Sequence, residues 1–196
     1  MFRVAVIGAS GLLGRAVVRE LAAVTAWQLV PTAFRHGGPQ QAVLDVRDAQ
    51  AVDAFVEREA PDAIVLAAAE RHPDVCEHDP AAARALNVDA VRSVATAARR
   101  RGAWVLSIST DYVFDGNKGA PYVESDLTTP LGVYGASKLA GEQAVLEANS
   151  RTSVLRTSWL VSQRGNNFVR TMIKAGRKTD RLRVVADQRG CPTSAT

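Results

Sequence analysis

Short apolar runs alternate with amphipathic helical patterns along almost the whole chain, and this rhythm constrains the fold more than any other feature. The runs at 2–7, 28–34, 63–68 and 104–109 are largely apolar, as strands covered on both faces must be. Between them, 12–24, 48–59 and 80–101 repeat apolar residues at helical spacing. Pro61-Asp62 ends the second helical pattern, Pro80 opens the third and Gly102 stops it. Shorter strands are expected at 42–45, 153–156 and 182–185, and helices at 134–148 and 166–176. Loops are expected at 111–133, rich in Gly, Pro, Asp and Thr, and at 187–196. Strand–helix–strand repetition needs crossover connections. The expected fold class is therefore α/β, an open doubly wound parallel sheet of Rossmann type.

Composition excludes several other classes. With 196 residues, 47% hydrophobic and 22% charged, the chain has enough apolar surface for a core and is not disordered. No apolar run approaches the roughly 18 residues of a membrane span. The opening Met1–Gly8 is too short for a signal peptide and reads as a strand. The net charge of +4 comes from 20 Arg and 4 Lys spread along the chain, without the clustered basic face and aromatic platforms of a nucleic-acid binder. Arg99-Arg100-Arg101 falls at a helix end, where it complements the dipole. Cys76 and Cys191 match no metal or redox spacing, so reduced thiols and a cytoplasmic location are expected.

Gly8-Ala9-Ser10-Gly11-Leu12-Leu13-Gly14 joins the first strand to the first helix. Glycine is needed here because the chain must turn sharply and let its backbone approach a pyrophosphate. The helix N-terminus then offers free N–H groups and positive potential. Gly8, Ser10, Gly11, Leu12 and Leu13 are the candidate cradle. An acid after the second strand would grip the ribose of NAD. The chain has Pro31-Thr32-Ala33-Phe34-Arg35 instead. Arg35 can pair with a 2′-phosphate, which favours NADP(H). Asp45-Val46, ending the short strand, can flank the adenine.

Tyr134 and Lys138 stand four apart on an expected helix and so share a face. Tyrosine is a poor acid or base at neutral pH, and a nearby ammonium is expected to lower its pKa. A lysine in a chain that mostly uses arginine is informative, because arginine lacks the compact ammonium. Ser109-Thr110 ends the fourth long strand, on the side where ligands bind such sheets. A hydroxyl there can hold a carbonyl oxygen while tyrosine donates its proton.

Together, Gly8-x-x-Gly11-x-x-Gly14, Ser109-Thr110-Asp111-Tyr112-Val113-Phe114-Asp115-Gly116 and Tyr134-Gly135-Ala136-Ser137-Lys138 resemble the extended short-chain dehydrogenase/reductases, and among them the dTDP-4-dehydrorhamnose reductase family. Leu86-Asn87-Val88, Leu155-Arg156-Thr157-Ser158-Trp159, Asn166-Asn167-Phe168 and Asp187–Thr193 agree. The resemblance implies a catalytic Thr110, Tyr134 and Lys138. Ala67, Ala68 and Ala69 would lie along the cofactor ribose. A substrate pocket would include Ser109, Thr110, Asp111, Tyr112, Tyr134 and Trp159. The implied reaction is NADPH-dependent reduction of a 4-keto-6-deoxy sugar nucleotide, toward dTDP-L-rhamnose or a related deoxysugar. It implies a nucleotide-binding domain over 1–150 and, over 151–196, the last core strand and the start of a substrate lobe. Members of the family run longer, so a missing C-terminal part and an exposed apolar patch are expected. A homodimer stays open.

A rival from another class rests on Ala69-Glu70-Arg71-His72-Pro73-Asp74-Val75-Cys76-Glu77, which resembles the regulatory β subunit of methionine adenosyltransferase, an NADP-binding protein of the same fold. Sugar-nucleotide epimerases share the Tyr-Lys pair, but an acid after the second strand would be expected for their NAD.

Overall fold

A computed structural model describes residues 1–35, 37–38 and 40–195. Thr196, the last residue of the expected terminal loop, lies outside them. Six parallel strands form one sheet: β1 (Phe2–Ile7), β2 (Trp27–Ala33), β3 (Ala42–Val43), β4 (Ala63–Leu66), β5 (Trp104–Thr110) and β6 (Thr152–Thr157). Their order is β3-β2-β1-β4-β5-β6. The order reverses between β1 and β4, and that switch point is where an open α/β sheet leaves a crevice.

Helices cover both faces. On one, α2 (Ala49–Glu59), α5 (Ala90–Arg100) and α6 (Val133–Ala148) pack Phe55, Val94 and Val145 against Ile7, Ile64 and Val105. On the other, α1 (Leu12–Leu21) sets Val17, Val18 and Leu21 against Val4, Val6 and Val65. Asp48 caps α2 by accepting from the N–H groups of Gln50 and Ala51.

The expected helix at 80–101 is three pieces: α4 (Pro80–Arg84), one π-helical turn over Ala85–Asp89, and α5. A short helix α3 (Pro73–His78) precedes them. The π-turn bulges Asn87 inward, and π-bulges recur at functional sites. The carbonyl of Asn87 sits so close to Gly141 of α6 that a Cβ there would collide with it.

The expected strand at 182–185 is absent, and 180–192 carries no regular structure. Leu182-Arg183-Val184-Val185 has the composition of a strand but no neighbour to supply its hydrogen bonds, and propensity yields to that lack. Instead β7 (Leu160–Val161) pairs with β8 (Thr193–Ser194), within the segment expected to be a loop. Between them lies α7 (Phe168–Gly176), capped by Asn167. Leu155, Phe168, Ile173 and Val185 are each more than half exposed. No helix among the described residues is long and apolar enough to cross a membrane.

Candidate functional site

A cavity of about 690 Å³ runs along the C-terminal ends of β1, β2, β4 and β5. One end is the turn after β1. Gly8 has φ +88°, a conformation that favours glycine. A Cβ on Gly8 would lie 2.8 Å from Ala68 N, and one on Gly14 would strike the Gly8 carbonyl oxygen. Gly11 begins α1 with no side-chain cap. The first-turn N–H groups are therefore not taken by a capping side chain, and Gly8, Ser10, Gly11, Leu12 and Leu13 line the cavity there. This cradle fits a pyrophosphate.

Asp45, Val46, Ala67, Ala68 and Ala69 line the middle. Arg35 stands beside the lining rather than in it. Its guanidinium lies 4.8 Å from the centre of the Phe34 ring, and that of Arg47 lies 4.7 Å from the same ring. Sequence reasoning missed Arg47, which does line the cavity. The hydrogen bonds from Arg47, at 2.9 and 2.8 Å, hold the Asp45 carboxyl below its usual range despite partial burial. This end of the cavity thus carries an Asp45–Arg47 ion pair, with Arg35 beside it, and no acid directly follows β2.

At the other end stand Ser109, Thr110, Asp111, Tyr112, Tyr134, Lys138 and Trp159, all on the same cavity. Tyr134 and Lys138 project from α6. No side chain of Gly132 caps that helix; Glu77 of α3 does, accepting from Val133 N at 2.7 Å. Asn87, fully buried, ties the helix to the loop after β4. Its Oδ1 accepts from Glu70 N, and its Nδ2 donates to Glu70 O and to Ser137 Oγ. Thr110 Oγ1 accepts from Tyr112 N and donates to Asp111 Oδ1, both at 3.2 Å.

One expectation is corrected. Lys138 was expected to lower the pKa of Tyr134, yet the phenol is pushed up. Burial is the main cause, opposed by a hydrogen bond with Thr110 and reinforced by Asp111. The Lys138 ammonium is aimed elsewhere, donating to Ile108 O at 2.7 Å. Tyr134 thus keeps its proton at neutral pH. Asp111 is also pushed up by burial.

Lys138 is buried, and desolvation lowers its pKa from 10.5 to about 8. A pKa depressed in the folded state favours folding in full only above the unfolded value near 10.5, and that contribution is lost as the pH falls to about 8. Replacing Lys138 by Met removes this pH dependence. Denaturant unfolding at pH 7.5 and at pH 10.5 should therefore show the parent gaining on Lys138→Met by about 3 kcal/mol at the higher pH. A difference independent of pH would mean that Lys138 is solvated.

Trp159 has φ +45°, a strained conformation for a bulky residue. The β7–β8 pair holds it, with Thr193 N donating to Trp159 O, and a Cβ on Gly190 would lie 2.7 Å from the Trp159 ring. Thr157 Oγ1 is buried without a hydrogen-bond partner, and Thr157 lines the cavity. A buried hydroxyl left unpaired is costly, and a ligand could satisfy it.

A 3-2-1-4-5-6 sheet with a glycine cradle at the switch point and a Tyr-x-x-x-Lys pair on the same crevice defines a Rossmann-type domain. The RmlD substrate binding domain family model matches residues 2–196, and the chain belongs to that family. It is 40% identical to the dTDP-4-dehydrorhamnose reductase of Burkholderia thailandensis over 193 residues, covering 98% of this chain and 62% of that protein. It is also 47% identical to methionine adenosyltransferase 2 subunit beta of Pongo abelii over 154 residues, 79% of this chain and 46% of that one. The crystal structure of the Bacillus anthracis dTDP-4-dehydrorhamnose reductase in complex with NADP superposes with a TM-score of 0.90 at 37% identity, over 100% of this chain and 67% of that one. The chain spans 62% and 46% of the length of the first two curated relatives it matches.

Proposed function

We propose that this chain binds NADP(H) along the crevice and carries the reductive half-site of a dTDP-4-dehydrorhamnose reductase. One observation carries the reading: the glycine cradle and the Thr110, Tyr134, Lys138 group open onto the same cavity. Gly8, Ser10, Gly11, Leu12 and Leu13 would hold the pyrophosphate, with Ala67, Ala68 and Ala69 along a ribose. Arg35 and Arg47 would meet the 2′-phosphate, and Asp45-Val46 the adenine. Ser109, Asp111, Tyr112 and Trp159 would contact the sugar nucleotide.

Bound NADPH would supply the hydride. Tyr134, protonated at neutral pH, donates its proton to the sugar's carbonyl oxygen as that oxygen gains charge. Thr110 orients the same oxygen. Lys138 offers donors for the ribose hydroxyls of the bound nucleotide. The sugar gains one hydride and one proton, and the ketone becomes a hydroxyl. Residues 1–150 form the nucleotide-binding unit in this reading, and 151–196 begin the substrate lobe.

The test is absorbance of the reduced nicotinamide after mixing the protein with NADPH and dTDP-4-dehydrorhamnose. The identity to the adenosyltransferase subunit supports a second reading, an NADP-binding regulatory subunit. No NADPH consumption, together with capture of a methionine adenosyltransferase, would favour it. Cofactor choice is separable. Arg35→Ala should weaken NADPH binding about tenfold or more, with NADH binding changed less than about twofold, in fluorescence titrations. Equal losses would remove the 2′-phosphate role.

A further inference from the structure

Glu142 lies one helical turn beyond Lys138 on α6 and is 6% exposed. Its Oε1 accepts from Ser109 Oγ at 2.5 Å and from Arg156 Nε at 2.9 Å, and its Oε2 accepts from Arg156 Nη2 at 2.6 Å. One carboxylate therefore joins α6 to the ends of β5 and β6. Arg156 extends the chain of contacts. Its guanidinium lies 5.1 Å from the centre of the Phe114 ring, and Phe114 stacks on Tyr122 at 4.2 Å. The loop after β5 is thereby tied to the same pair.

Glu142 is buried while the Arg156 side chain keeps 26% of its surface exposed, and taking a carboxylate out of water for such a pair is a poor way to gain stability. The position of the pair suggests another use. We propose that Glu142 and Arg156 form a positioning pair for the candidate site, holding Lys138 on α6 in register with Ser109 and Thr110 on β5 and balancing the charge that Lys138 feels.

Glu142 on α6 is the charged group that acts on Lys138; Tyr134, Asp111 and Glu70 line the same cavity, Cys76 on α3 acts on Tyr134, and Arg156 on β6 is bound to Glu142. Glu142 raises the proton affinity of Lys138 against the larger effect of burial. Arg156, bound to both oxygens of Glu142, limits how far that anion acts. This inference rests on the reading of Lys138 as a working residue of the site, but its test needs neither cofactor nor turnover.

The test follows the ammonium directly. The chain has four lysines, so NMR of lysine-labelled protein resolves Lys138 by its absence from Lys138→Met. Glu142→Gln leaves the Arg156 cation unopposed and should lower the Lys138 midpoint by about one pH unit, tenfold in proton affinity. Arg156→Gln frees the anion and should raise it by about as much. The double variant, with no unpaired buried charge, should return to within about half a unit of the parent. A merely structural pair would move both single variants in the same direction through loosened packing, and that result overturns the proposal. If a single variant fails to fold by circular dichroism, the double variant decides: a midpoint near the parent's supports charge balance, and one displaced by a unit or more overturns it.

Discussion

Tyr134→Phe should lower turnover of dTDP-4-dehydrorhamnose by about two to four orders of magnitude while leaving NADPH affinity within about threefold. The substitution removes one hydroxyl and keeps the ring, so the edge contact with Tyr112, 5.5 Å between centroids, survives. Burial raises the Tyr134 pKa, so the group that is removed carries the proton the proposed reaction needs. A loss of this size, confined to kcat, fits an interaction made as charge develops on the carbonyl oxygen. Steady-state kinetics on parent and variant check it. Turnover at the parental rate would take the acid's role from Tyr134.

Gly14→Ala should destabilise the chain by about 3 kcal/mol and abolish measurable cofactor binding. A Cβ at this position would strike the Gly8 carbonyl oxygen and lie 2.8 Å from Ala9 Cα, and both are backbone atoms that cannot rotate away. Gly8 cannot retreat either, because its own Cα face is pressed against Ala68. Relief would require α1 to move off β1, which opens the packing of Val17 and Val18 on Val4 and Val6 and displaces the N–H groups of the cradle. Urea unfolding and NADPH fluorescence would both report the change. A variant as stable as the parent would mean that the turn deforms more easily than these contacts allow.

The parallel sheet was legible because β1, β4 and β5 are apolar runs next to glycine or proline, and the glycine spacing marked the cradle before any geometry was known. Tyr134 and Lys138 stood out because tyrosine and lysine are scarce here and the two are four apart, and Thr110 because it ends a long strand. Other features depend on tertiary contacts. The role of Asn87 arises from a π-turn that no periodicity announces, and from a partner, Ser137, fifty residues away. Arg35 and Arg47 share one aromatic ring, but only the folded loop places Arg47 on the cavity wall. The expected effect of Lys138 on Tyr134 failed for a similar reason. Spacing sets both on one helix face, whereas the direction of the ammonium is decided by the carbonyl of Ile108 on a neighbouring strand. The two-residue pairing of β7 with β8 is too short to leave a pattern, yet it holds the strained Trp159 at the site.

Diffraction from crystals grown with NADP would test the central claim most directly. The account predicts the pyrophosphate against Gly11 and Leu12 at the start of α1, the 2′-phosphate between Arg35 and Arg47, and the nicotinamide ring beside the Tyr134 hydroxyl. A dinucleotide bound elsewhere, or one whose ring lies away from Tyr134, would contradict it.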